Sequence, residues 1–229
     1  MKITASNLIR WAGLPAMAAG IIFAGIQPIH PPDVLASVTT TEWAIFMNLK
    51  TIMCLFFVFG ITGIYARQVE KSGWLGLIGF LMLSIFWSVS MAYIFAEAFI
   101  LPVLATTTPD FVESFLGILN GFPGEMNIGA LPAIYNLSGL LYMLGGLLFG
   151  IATFRARVLP RWVGALLAIA SVLTPFAALL PHELQRLAGM PVGIAIALLG
   201  FALWTEKRAK TSEAVPGMEN LQLRQTGAD

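Results

Sequence analysis

Apolar stretches of about twenty residues, separated by short connections rich in glycine, proline or charge, recur six times along the chain. They run from Trp11 to Ile29, Trp43 to Tyr65, Trp74 to Ile100, Leu131 to Phe154, Trp162 to Leu180 and Ala188 to Trp204. Inside lipid such a stretch can satisfy its own backbone hydrogen bonds only as a helix, because an isolated strand leaves its edges unpaired. The pattern predicts an all-α polytopic membrane protein, with a six-helix transmembrane domain over residues 1–204 and a polar, non-periodic, mobile tail over residues 205–229. One connection is long. Between Leu101 and Ala130, Thr108-Pro109-Asp110 ahead of Phe111, Phe115, Leu116 and Leu119 reads as a capped amphipathic helix, lying flat on the surface or entering the bilayer as a half-helix.

Composition agrees with the pattern. Of 229 residues 58% are hydrophobic and 11% charged, too little polar surface for a soluble globule or a disordered chain. The formal net charge of +1 carries no message, but its distribution does. With six spans, both termini and two connections share one side, which holds Lys2, Arg10, Arg67, Lys71, Arg155, Arg157, Arg161, Lys207, Arg208, Lys210 and Arg224. The other side holds Arg186 alone, and Lys50 lies within a span. The positive-inside rule then puts both termini in the cytoplasm. Lys2 and Arg10 with Ala16-Met17-Ala18 resemble a cleavable leader, but the apolar run continues past that site, so an uncleaved first span is expected. Trp11, Trp43, Trp74, Trp162 and Trp204 sit at span edges, as interfacial anchors do. Cys54 is the sole cysteine, which excludes an intramolecular disulfide and a multi-cysteine metal cluster. No phosphate-cradling loop, nucleophile elbow or nucleic-acid-binding stripe is present, so ATP-driven chemistry and nucleic-acid partners are not expected.

An internal repeat adds order to the spans. Trp11-Ala12-Gly13, Trp74-Leu75-Gly76 and Trp162-Val163-Gly164 each open a span on the basic side. Phe59-Gly60-Ile61 with Ala66-Arg67 recurs as Phe149-Gly150-Ile151 with Ala156-Arg157. Spans two and three thus read as a helical hairpin duplicated in spans four and five, and spans six and one supply a third, giving a pseudo-threefold bundle. Ala16, Gly20 and Ala24, and Gly146 with Gly150, are small-residue sets that let helices approach closely, within the bundle or between copies of a homo-oligomer.

Candidate chemistry gathers at one level. His30 lies 19 residues after Trp11, His182 lies 20 after Trp162, and Tyr93 and Glu97 lie 19 and 23 after Trp74. At about 1.5 Å per residue all four reach the outer boundary of the hydrocarbon. Two imidazoles with a carboxylate suit zinc or non-haem iron, and two imidazoles alone suit haem, so His30, His182 and Glu97 form a candidate metal set. The plainer alternative makes both histidines helix-end residues beside prolines. Glu97 and Lys50 are charges inside spans, where an unpaired ion is costly, and an ion pair between spans two and three is expected. Ser90, Tyr93 and Glu97 share one helix face, and Tyr135, Ser138 and Tyr142 repeat the spacing; Asn48 and Asn136 add amides at similar depth. The candidate ligand pocket is therefore Lys50, Tyr93, Glu97, Asn48, Asn136, Tyr135 and Ser138.

The Trp-x-Gly starts, Ile29-His30-Pro31, Glu97-Ala98-Phe99 and Leu180-Pro181-His182 resemble a group of small bacterial six-helix membrane proteins defined only by a domain of unknown function. The resemblance spans most of the chain up to Trp204 and implies a bacterial inner-membrane setting, with no activity, cofactor or partner. Three functional classes stay open: a binding or transport-type protein with an outward-facing pocket for a small or lipid-like, amphipathic ligand; a metal- or haem-dependent membrane enzyme with Glu97 as ligand or general base; and a structural subunit whose polar residues hold helices together.

Overall fold

The computed structural model describes residues 3–121, 124–179 and 182–206, all helix, turn or loop with no strand. The helices are α1 (Ala5–Trp11), α2 (Gly13–Ile26), α3 (Thr41–Phe99), α4 (Leu101–Leu104), α5 (Pro109–Asn120), α6 (Leu131–Ala156), α7 (Arg161–Leu173), α8 (His182–Gln185) and α9 (Met190–Thr205), with single turns of 3₁₀ helix between several of them. Four helical stretches are long and apolar enough to cross a membrane: Ala5–Ile29, Thr41–Phe99, Leu131–Ala156 and Arg186–Thr205. Their most apolar windows bury only 28–44% of their residues, so large side chains such as Ile21, Ile45, Phe59, Ile85, Leu140 and Phe201 face outward. That surface fits an integral membrane protein. The proposed tail beyond residue 206 lies outside the described residues.

Helix α3 is two limbs folded back on each other. Thr40 caps the first limb, its hydroxyl accepting from Trp43 N at 3.1 Å. The break is Gly73, at φ 57° and ψ −160°, a conformation closed to residues with a Cβ, although a Cβ there would meet nothing within 4 Å. The backbone and not the available space demands glycine. Beyond it the pairings converge on the turn: Tyr65 stacks on Phe80 at 4.6 Å, Phe57 on Trp87 at 3.6 Å, and Trp43 Nε1 donates to Glu97 O at 2.9 Å. Trp43 is therefore wholly buried, not an interfacial anchor; its indole N–H serves a carbonyl near the end of the facing limb.

Small residues set the spacing between the other helices. A Cβ on Gly20 would lie 2.2 Å from Gly193 O, one on Gly60 would lie 2.6 Å from Ala16 Cα, and one on Gly150 would lie 2.6 Å from Gly164 O. Gly79 likewise meets the backbone of Phe149. Helix α2 thus packs on α9 and on residues 41–72, residues 74–99 pack on α6, α6 packs on α7, and α7 closes on α9. Gln68 ties α3 to α6, donating to Thr153 Oγ1 at 2.8 Å. The small-residue sets around Gly20 and Gly150 face neighbours within the chain.

The two ends differ. At the Gly73 end, Arg10 donates to Trp204 O at 2.8 Å and Arg67 pairs with Glu206. At the His30 end, α5 lays Val112, Phe115 and Leu116 over Trp43, Met47, Tyr93 and Leu101. Thr108 does not cap α5 as its sequence suggests; its hydroxyl sits 3.5 Å from Leu104 O, and Pro109 opens the helix without needing a donor's partner. Leu119, the last residue of the expected apolar face, has a side chain outside the described residues. Helix α7 stops at Leu173, about 20 Å long at 1.5 Å per residue. Thr174 keeps helical geometry at φ −54° and ψ −45°, and the chain continues as 3₁₀ helix over Thr174–Leu179.

The close approaches yield a paired prediction. Gly20→Leu should lower detergent-phase stability by about 1–3 kcal/mol, since the side chain would enter backbone of α9. Gly25→Ala, where a Cβ meets nothing within 4 Å, should leave thermal unfolding unchanged or slightly raised. Equal melting temperatures for the two variants would contradict the packing described.

Candidate functional site

Where α7 ends early, the bundle opens into a cavity of about 290 Å³. The chain just after α2 supplies Gln27 and His30 and α3 supplies Ser90, while Thr174, Gln185 and Arg186 come from the short helical turns between α7 and α9. Aromatic rings form much of the wall: Phe23, Phe86, Trp87, Tyr93 and Tyr135. Phe23 meets Trp87 edge to face at 5.5 Å, and Tyr93 meets Tyr135 at 5.5 Å. Tyr93 is fixed by its hydroxyl, which donates to Leu131 O at 2.6 Å.

The charged groups run in a line through this wall. Arg186 donates to Asp33 Oδ2, and Asp33 Oδ1 lies 3.9 Å from His30 Nδ1. His30 Nε2 lies 3.0 Å from Lys50 Nζ, and Lys50 Nζ lies 3.5 Å from Glu97 Oε2. An ammonium group can only donate, so Nε2 accepts and the ring proton resides on Nδ1, where it is donated to Pro31 O at 2.6 Å. His30 is thus a neutral spacer between an anion and a cation. Burial, then Lys50 and Arg186, push its pKa down from 6.5 to about 3. Glu97 is 1% exposed, and its Oε2 has no hydrogen-bond partner; the Lys50 contact is longer than the 2.7–2.9 Å or so of a charge-assisted bond.

Lys50, Tyr93, Glu97, Tyr135 and His30 all line this cavity. Three other candidate pocket residues do not. Asn48 is exposed on the outer face of α3 and donates back to Ala44 O at 2.7 Å. Asn136 is exposed and borders a separate hollow beside Ser114 and Gly124. Ser138 is buried, with its hydroxyl turned to Tyr135 O at 2.7 Å on its own helix. All three sit at the expected depth, but depth leaves the angle around the helix open. Asp33 and Arg186, missed as a pair by the sequence reading, lie on connections where no periodicity links them; the only signal is that Arg186 is a lone cation on its side. Asp33 also fastens α5, its carbonyl accepting from Asn120 Nδ2 at 2.9 Å.

No family model, curated protein or solved structure matches this chain. The site is therefore read from its own chemistry. Among the described residues no three of His, Cys, Asp and Glu are placed to hold a metal ion. His182 opens α8, but its side chain lies outside the described residues. In the candidate set of His30, His182 and Glu97, both ring nitrogens of His30 are already engaged, by Lys50 and by Pro31 O. This geometry gives no support to a zinc, iron or haem site there.

A neutral buried histidine has a measurable signature. Unfolding lets it take up a proton below about pH 6.5, whereas the folded protein does so only near pH 3, so its contribution to stability is present at neutral pH and falls as pH drops through that window. The slope reaches at most about 1.4 kcal/mol per pH unit. The stability advantage of wild type over His30→Gln in detergent should shrink from pH 7 to about 4.5. Asp33, Lys50 and Arg186 surround position 30 in both proteins, so the difference between the two profiles isolates the imidazole. Parallel pH profiles would show that His30 is not held neutral.

Proposed function

We propose that this is a six-span protein of the bacterial inner membrane whose His30 end faces outward and forms a binding pocket, of receptor or transport type, for a small or amphipathic ligand. One observation carries the reading: Glu97 holds a buried carboxylate oxygen without a hydrogen-bond partner at the wall of a cavity built from charged and aromatic side chains. Asp33 Oδ1 is likewise buried and unfilled, but Asp33 does not line the cavity, which leaves Glu97 as the carboxylate placed to meet a ligand there. Ligand pockets combine an apolar, aromatic lining with a few placed polar groups, as here.

Three features of the structure and one general rule support this topology. The two limbs of α3 run antiparallel about Gly73. α7 with the 3₁₀ turn Thr174–Leu179 gives a further crossing. Arg10, Arg67, Lys71, Arg155, Arg157 and Arg161 all lie at the Gly73 end, against Arg186 at the other. The positive-inside rule assigns the first group to the cytoplasm. The limbs of α3, the pair α6 and α7, and the pair α9 and α2 are each closely packed, which supports the three-hairpin repeat.

Cysteine labelling tests both parts, because the native Cys54 is buried. In intact cells a membrane-impermeant maleimide should label Thr39→Cys, and should label Lys71→Cys and Arg157→Cys only after permeabilisation. Ser90→Cys should react with small methanethiosulfonates added from outside. An inert Ser90→Cys beside a reactive Thr39→Cys would mean a sealed interior, and the structural reading would replace the pocket.

A further inference from the structure

The charge balance of the cavity narrows what it can take. Arg186 is paired with Asp33, and Lys50 with Glu97. His30 is neutral by virtue of its partners, its Nε2 accepting from Lys50 and its Nδ1–H donating to Pro31 O. The cluster sums to zero, and each ion already has its counter-ion. A further ion brought to this wall would find no free counter-ion, and an ion buried without one is penalised. A zwitterion also sums to zero, but each of its charges would have to break an existing pair.

What the wall lacks is a donor. Glu97 Oε2 is buried and unpartnered, so the ligand must bring an O–H or N–H to it. Lys50 gives one N–H to His30 and faces Glu97, which leaves it donor capacity for the same ligand oxygen. A hydroxyl, donor and acceptor in one atom, meets both needs without charge. The remaining wall is aromatic, and flat rings pack on such surfaces edge to face or offset. At about 290 Å³ the space exceeds the roughly 150 Å³ that admits a benzene ring.

Building on the pocket reading above, we propose that the cavity takes an uncharged phenol- or quinol-type headgroup, its hydroxyl donating to Glu97 Oε2 and its ring lying among Phe86, Trp87, Tyr93 and Tyr135. The two sources of such a group are a water-soluble phenol and the head of a membrane-dissolved, tailed quinol.

Calorimetric binding to the full-length protein in detergent tests the class with four probes of similar size: 4-ethylphenol, 4-ethylanisole without the donor, phenethylamine as cation and benzoate as anion. 4-Ethylphenol should bind about tenfold tighter than each of the others. Glu97→Gln leaves Lys50 uncompensated, so benzoate should become the preferred probe; Lys50→Met leaves Glu97 uncompensated, so phenethylamine should. These opposite switches also guard against a misfolded variant, which would lose all probes together. A decyl-tailed hydroquinone binding tighter than 4-ethylphenol would identify a membrane-borne ligand, and equal affinity a soluble one. Wild-type preference for phenethylamine, benzoate or 4-ethylanisole would overturn the phenol class while leaving the pocket in place. Absence of binding by every probe, with Ser90→Cys unreactive from outside, would remove the pocket itself.

Discussion

Charge in a medium of low dielectric must be neutralised within a few ångströms, and the His30 end of this protein is arranged around that requirement. Arg186, Asp33, His30, Lys50 and Glu97 alternate as cation, anion, neutral ring, cation and anion. Apart from the His30–Asp33 step within the connection after α2, the steps join different pieces of chain: the segment before α9, that connection, and the two limbs of α3. The line is therefore also a mechanical tie. His30 keeps its place in it only while neutral, because a proton on Nε2 would set a cation against Lys50. Removing any one ion would leave its partner buried and uncompensated, which costs more than the pair contributes.

The cavity exists because the two halves of the bundle are packed by different rules. Toward the Gly73 end, glycine and alanine meet backbone on facing helices, as between Gly60 and Ala16 or Gly150 and Gly164. In a membrane such close approach replaces the hydrophobic drive that water supplies to soluble proteins. Toward the His30 end, the residues between helices are large: Phe23, Phe57, Phe86, Trp87 and Tyr142 hold the helices apart. There α7 also stops short. The short 3₁₀ and α-helical turns that follow α7 line the cavity, with Thr174, Gln185 and Arg186 facing it.

Different features of this arrangement differed in how legible they were in the sequence. The apolar runs are legible because length and composition alone decide them, and the α3 limbs fold at the glycine between two of those runs. Glu97 and Lys50 stand out because an ion within an apolar run must have a partner, and they lie 3.5 Å apart. Asn48, Asn136 and Trp43 were misplaced for one reason. A helix that is apolar all round gives depth along its axis but no polar stripe to fix which side faces in. Asn48 returns its amide to its own helix and so can face outward, whereas Trp43 finds a carbonyl on the opposite limb and so can be buried. Asp33 with Arg186 was illegible for another reason: 153 residues separate them, and neither sits in a periodic element.

The same electrostatics that stabilise the site limit what it can recognise. A pocket with an unbalanced ion selects ligands mainly by sign, and attracts any counter-ion of suitable size. With every ion already paired, selection passes to hydrogen-bond direction and ring shape, which act only at contact range. Glu97 and Asp33 both belong to the neutral line and keep an acceptor unfilled, and of the two Glu97 lines the cavity. Its position is held from outside the cavity as well, since its carbonyl receives the Trp43 indole N–H that joins the two limbs of α3. Fold stability and ligand selection therefore meet in one residue: its backbone is committed to the hairpin, and the Oε2 that faces Lys50 at 3.5 Å is the same atom left open to a donor.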